Sequence, residues 1–457
     1  MKNSALLVCA GVLVLCWAGN SRASKSDRFH LVSVQTAQGP TLAPQAQVSP
    51  SDATQTSPQE ITGYTLPPDR YKKARNLGRI EFRLRITDTF YGLLVLWLIL
   101  QWKIAPKYRD WAEKASSRRI LQGLIFGPLV IVTMDLFNEP IEIYGHWVER
   151  AFGLSVQGWG SWTWDQAKGE AVSIIGGTIL LLILYAVIRR RPQRWWFYFW
   201  LVSLPIIVFV IFLEPLVVDP LFHKFEPLAR KDPTLTAALE QMLQRTGKHI
   251  PPERMFWMGA AQKSTEIDAY VTGVGGSKRI VVWDTTIADL TQPEIVFVTG
   301  HEMGHYVLNH IPKGIAFYAI FLIVAFYLGY RGIGWMVRRW GTKWAIRGVD
   351  DWASFPALLL LLSIFSVVAD PITNAFSRHI EHQADQYGLE VTHGLTPDAS
   401  QVAAHAFNVL GNVDLADPKP NPIGVFLFYT HPSISERIHF AVTYDPWAKG
   451  GHGEFVH

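Results

Sequence analysis

The sequence predicts a mainly α-helical fold: a multi-pass transmembrane bundle joined to a more polar domain with a small β-hairpin or sheet. Three observations predict it. Hydrophobic residues make up 49% of the chain and charged residues only 18%. The positive mean hydropathy, +0.14, belongs to membrane rather than soluble chains. Six apolar runs, at about 88–105, 120–137, 171–188, 195–217, 314–330 and 354–376, have the scale of roughly 20 residues that crossing a hydrocarbon core requires. A net charge of only +4 gives no sign of a nucleic-acid partner; the bilayer is the expected one.

The N-terminus, MKNSALLVCAGVLVLCWAGNSRAS, reads as a signal peptide over 1–23. Lys2 supplies the positive start, Ala5 to Ala18 the short apolar core, and Ser21-Arg22-Ala23 a small-x-small cleavage site; an uncleaved anchor is the alternative. Bulky Leu15 before Cys16 argues against a lipoprotein site. Both cysteines, Cys9 and Cys16, lie in this segment, so neither a disulfide framework nor a thiolate metal site is available.

Residues 24–66, rich in Ser, Thr, Pro and Gln, read as a disordered linker. A basic juxtamembrane helix and four spans follow over 67–217. The polar block 218–313 contains LTAALEQMLQRTG, an amphipathic helix closed by Gly247. It also contains a strand over Lys278–Ile287, which forms a hairpin with Tyr270–Lys278, and a helix over QPEIVFVTGHEMGHYVLNHI. Two more spans occupy 314–376, a second polar region 377–445, and a flexible tail 446–457, whose His452 and His457 are not expected to be ligands.

Chemistry concentrates in His301-Glu302-Met303-Gly304-His305, an H-E-x-x-H pattern. On a helix the two histidines lie one turn apart on one face and can share a zinc ion, with Glu302 beside them to act on water. Cysteine being absent from the region, a third ligand must come from His or a carboxylate. In SRHIEHQADQYGLE, Glu381 and Asp385 are spaced i, i+4; Glu381 can ligate, and Asp385 can orient a ligand histidine. His382 points about 100° away from Glu381, and His310, five residues past His305, falls off the ligand face and reads as structural. Two spans separate His305 from Glu381, so both return to one side of the membrane.

At this point the chain resembles the type I CAAX prenyl endopeptidase family, integral-membrane zinc metalloproteases. The resemblance rests on HEMGH, SRHIEHQAD, DAYVTGVGGSKRIVVWDTT, PLFHKFEPL and THPSISERI, and extends over about residues 65–445. It implies helices around a hollow chamber with the zinc site at one end, and an extended peptide or protein substrate along an edge strand, here Asp268, Ala269 and Tyr270. It also implies one zinc ion on His301, His305 and Glu381, Glu302 as base and then acid, Asp385 in support, and His431 with Arg437 stabilising the oxyanion. Two features depart from the family. Asp268 replaces its Asn, and an ionised Asp can only accept hydrogen bonds. The position of the family's first span is taken by the signal-like segment and linker.

The expected function is a membrane-embedded zinc metalloendopeptidase, processing or controlling the quality of membrane or exported proteins, in a bacterial inner membrane. The alternative from another class is a catalytically weak, chamber-forming binding or chaperone module; the intact Glu302 argues against it. Few ionisable residues in the spans argue against a transporter. Short loops opposite the zinc face carry Arg109, Arg118, Arg189, Arg191, Arg338 and Arg347 among other basic residues, which places them in the cytoplasm and the zinc face in the periplasm. The family places its catalytic face in the cytosol, and the basic run Arg70 to Arg85 favours that orientation.

Overall fold

The computed structural model describes residues 60–213, 217–273 and 278–456. The signal segment, both cysteines and most of the linker lie outside the described residues. Helices α1 (Pro68–Gln101), α2 (Ile104–Ala115), α3 (Arg119–Phe152), α4 (Trp159–Arg190) and α5 (Trp195–Leu213) form the first half. Next come β1 (Phe225–Pro227), α6 (Pro233–Arg245), β2 (Met255–Met258), β3 (Ala269–Thr272), β4 (Arg279–Trp283) and α7 (Asp284–Asp289). The second half holds α8 (Gln292–Val307), α9 (His310–Trp344), α10 (Phe355–Thr392), α11 (Ala399–Val413), α12 (Pro422–Phe428) and α13 (Ile434–Thr443).

Among the described residues five helices are long and apolar enough to span a membrane: α1, α3, α4, α9 and α10, the last with the single 3-10 turn before it. The run expected at 195–217 forms the shorter α5, of 19 residues. The basic juxtamembrane segment and the first apolar run, expected as two elements, are one 34-residue helix, α1, because no proline interrupts it after Pro68. It ends at Gln101, and left-handed Lys103 (φ 54°) separates it from α2.

The hairpin forms as expected: β3 pairs antiparallel with β4, in the register Ala269 with Val282 to Thr272 with Arg279. Two further strands extend it to a four-stranded sheet in the order β1-β2-β4-β3, with β2 parallel to β4. The strand predicted to reach Ile287 stops at Trp283. α7 begins at Asp284, whose side chain accepts the backbone N–H groups of Ala260, Ala261 and Thr285 at 2.8, 3.0 and 2.9 Å.

One apolar core joins the span helices, including Phe126, Tyr185, Phe326 and Phe355. A second lies beneath the sheet, where Leu239, Met255 and Val282 meet Met303 of α8 and Tyr387 of α10. Both ends of the described chain dock on the polar domain, contrary to expectation. Tyr64, in the expected linker, is buried and donates to Gly411 O at 2.6 Å. In the expected flexible tail, the backbone N–H groups of Glu454, Phe455 and Val456 donate to the Glu390 carboxylate, and Trp447 stacks on His393 at 3.6 Å. A buried acid on α10 thus gives the tail the partner that its own composition could not reveal.

Candidate active site

The helix bearing the H-E-x-x-H residues, α8, starts with a capping box. Thr291 N–H donates to Glu294 Oε2 at 2.7 Å, while the Thr291 side chain receives the backbone N–H of Glu294. The helix packs on α10 at backbone distance. A Cβ on Gly304 would lie 2.9 Å from Tyr387 Cβ, and one on Gly388 would lie 3.1 Å from the His301 nitrogen. These two glycines let the face carrying His301 and His305 reach the face carrying Glu381 and Asp385.

The four side chains converge in the interior, with His301, His305 and Glu381 at 3%, 4% and 1% exposure. His301 Nε2 lies 3.3 Å from His305 Nε2 and 3.3 Å from Glu381 Oε2, and His305 Nε2 lies 3.6 Å from Glu381 Oε1. Ligand atoms of His301, Glu302 and His305 also fall within 4.8 Å of one another, a second possible donor set. Glu381 is the better third donor, because its two oxygens approach both imidazoles. Glu302 Oε1 lies 3.7 Å from His301 Nε2.

Hydrogen bonding sets both tautomers. His301 Nδ1 donates to Asp385 Oδ1 at 2.7 Å, which leaves its Nε2 as a lone pair. His310 Nε2 donates to Gln383 Oε1 at 3.1 Å, so His310 Nδ1 accepts from His305 Nδ1, also at 3.1 Å. His305 Nε2 is therefore a second lone pair facing the first. Two lone pairs and a carboxylate converging in a buried space call for a cation. Four donors about 2.0–2.1 Å from a tetrahedral zinc lie about 3.3 Å apart, the spacing found here. The residues present fit zinc.

His310 was expected to be structural, off the ligand face. In an unbroken helix it would be. Asn309 instead takes a left-handed conformation (φ 58°), ends α8 and turns His310 back against His305. Pro312, in the first turn of a new helix, was the available signal for that break. His382 is exposed and packs on Phe440 at 4.3 Å.

Asp385 is held from its other side by Arg437 on α13, whose Nε and Nη2 donate to Oδ2 and Oδ1 at 2.8 and 2.5 Å. Burial opposes the charge on Arg437, but the Asp385 carboxylate outweighs it and keeps the guanidinium pKa above its usual value. Two of the Arg437 nitrogens therefore support His301 through Asp385. His431 sits nearer the reacting atoms: its Nε2 is 3.3 Å from Glu381 Oε2, and its Nδ1 pairs with Thr430 Oγ1 at 2.8 Å.

β3 is one of the two edge strands, and Tyr306 of α8 donates to Gly273 O at its end. Trp283 N–H donates to Asp268 O at 3.2 Å. With the observed register, ladder alternation turns the backbone groups of Asp268 and Tyr270 toward β4 and those of Ala269 and Val271 toward the open edge. The Tyr270 ring is buried, and its hydroxyl donates to Asp219 Oδ2 at 3.1 Å. Burial, and then the Asp219 charge, push that phenol pKa up.

Comparison with known proteins gives the family. The profile of peptidase family M48 matches residues 229–444, and that of the CAAX prenyl protease N-terminal region, described as five membrane helices, matches 47–224. A Bacillus subtilis protein named as an uncharacterized metalloprotease, YhfN, is 32% identical over 391 residues, covering 84% of this chain and 89% of that one. CAAX prenyl protease 1 of Saccharomyces cerevisiae is 24% identical over 83% of this chain and 89% of its own. The crystal structure of S. mikatae Ste24p shares the fold, with a TM-score of 0.70 and 21% identity, covering 96% of this chain and 98% of that one. Sequence, fold and buried histidine–carboxylate cluster lead to one conclusion: this chain belongs to peptidase family M48 and is a CAAX-protease-like, integral-membrane zinc metalloendopeptidase.

Proposed function

We propose that one zinc ion per chain is held by His301, His305 and Glu381, and that this centre cleaves membrane or exported proteins on the periplasmic side of a bacterial inner membrane. The observation that carries the ligand assignment is the convergence of the His301 and His305 Nε2 atoms, 3.3 Å apart, on the two oxygens of Glu381. When bound, zinc supplies Lewis acidity, polarising the scissile carbonyl and making water acidic. Glu302 takes the proton of the attacking water and passes it to the leaving amine. His431 donates to the developing oxyanion. Asp385, clamped by Arg437, keeps His301 in its ligating tautomer.

The substrate backbone adds to the open edge of β3 through Ala269 and Val271, in the manner of strand addition. The relatives named CAAX prenyl proteases support a protein substrate. The cationic ends of the helices opposite the site support the periplasmic orientation. Proteomic comparison of membranes containing the wild-type protein or Glu302→Gln tests the reading. Proteins that accumulate intact with the variant are the substrates, and identical proteomes refute a processing role.

A further inference from the structure

At the membrane face opposite the zinc site, α4, α5, α9 and the connection that leads into α10 line a cavity of about 470 Å³. Its lining includes Arg189, Trp195, Tyr330, Arg338 and Asp350. Arg189 lies in the last turn of α4, Trp195 opens α5, and Arg338 lies near the end of α9. These are the depths at which helices leave the hydrocarbon, and exposed Trp335 marks the same level.

The cavity has an apolar floor and a cationic rim. Trp195 and Tyr330 meet edge to face at 6.4 Å. Arg189 is fixed in place: its guanidinium lies 4.0 Å over the Trp352 ring, and it donates to the Asp350 carbonyl at 3.0 and 3.2 Å. Arg338 is exposed. Neither arginine forms a salt bridge among the described residues, and nor do neighbouring Arg191, Arg194 and Arg339. Asp350 supplies an acidic side chain to the lining, against this cationic surplus.

A second observation points to a ligand independently. Trp195 is 1% exposed, yet its indole N–H has no hydrogen-bond partner. A buried donor left unmade costs free energy, and Trp195 is one of the residues that line the cavity.

We propose that this cavity binds the phosphate headgroup of an anionic phospholipid, with Arg189 and Arg338 as cationic partners, the Trp195 N–H as a neutral donor, and the acyl chains along the apolar surface between α5 and α9. Basic pockets between membrane helices recognise anionic headgroups through the same chemistry. A lipid meets the apolar floor as well as the rim, whereas free phosphate meets only the rim.

The test is native mass spectrometry of the full-length protein in detergent, titrated separately with dihexanoyl phosphatidylglycerol, dihexanoyl phosphatidylcholine and inorganic phosphate. The phosphatidylglycerol adduct is expected to form selectively. Arg338→Glu, which reverses the charge beside the headgroup, should weaken it by about tenfold or more. Arg338→Lys should restore it. Trp195→Phe, which removes the indole N–H, should weaken it a few-fold. Arg118→Glu, exposed on the same face but outside the cavity, should leave it unchanged. Equal binding of phosphatidylcholine, equal binding of phosphate alone, or an equal loss in Arg118→Glu would each overturn the proposal.

Discussion

The Nδ1 atoms of His305 and His310 lie 3.1 Å apart. This contact joins one imidazole of the H-E-x-x-H pair to Gln383 through an intervening histidine, and it makes the His305 tautomer depend on which way a neutral amide faces. If Gln383 presented its NH2 group, every proton along the line would reverse and His305 Nε2 would carry a hydrogen. His310→Phe and Gln383→Leu are therefore expected to weaken zinc binding by about 10–100-fold, the scale of losing a ligand's outer partner. Gln383→Glu, which still accepts, should retain it. Chelator competition measures this directly, and unchanged affinity in Gln383→Leu would show that the line does not set the tautomer.

Glu302→Gln keeps the side chain's shape and removes its basicity. Zinc content should remain at the wild-type level while peptide hydrolysis falls by at least about 10²-fold, the scale of general-base catalysis. Elemental analysis and a casein-type or reporter substrate check the two halves. A variant that cleaves at the wild-type rate would exclude Glu302 as the base.

Glu381→Ala removes the carboxylate that approaches both imidazoles. Zinc occupancy should drop sharply in elemental analysis, and full occupancy would return Glu302 to consideration as the third ligand.

Arg437 and Asp385 form a buried pair, 5% and 1% exposed. Arg437→Met leaves the Asp385 charge without its cationic partner and should destabilise the fold by about 3–5 kcal/mol. The double variant with Asp385→Asn should recover part of that loss. Denaturation of the three variants in detergent measures the coupling; strict additivity would mean that the two residues act separately.

If the substrate adds to β3, its own backbone amides facing Ala269 and Val271 are needed. N-methylation of a reporter peptide at those amides should raise KM or abolish cleavage, whereas methylation one residue along should be tolerated. Indifference to methylation at every position would exclude strand addition.

Sidedness follows from one accessible thiol. Glu60 is exposed, and its neighbour Ile61 is tied to Gln401 in the domain that carries the site. Glu60→Cys, in a background lacking Cys9 and Cys16, should react with an impermeant maleimide in cells whose outer membrane alone is permeabilised. Reaction only after inner-membrane lysis would place the site in the cytosol.

What the sequence determined by itself was whatever depends on neighbours along the chain. The H-E-x-x-H spacing placed His301 and His305 on one face of one helix, the i, i+4 spacing did the same for Glu381 and Asp385, and apolar run length marked the span helices. The pairing of spans also told that the two polar regions meet on one membrane side. Only the tertiary structure decided the rest, because those contacts depend on chain breaks and helix packing that no local period encodes. A left-handed Asn309 brought His310 onto His305, close approach at Gly304 and Gly388 brought two helix faces together, and Arg437 proved to be held by Asp385, 52 residues away in the chain. The docked tail followed the same rule. Its composition is polar and aperiodic, and the buried Glu390 that orders it is supplied by another helix.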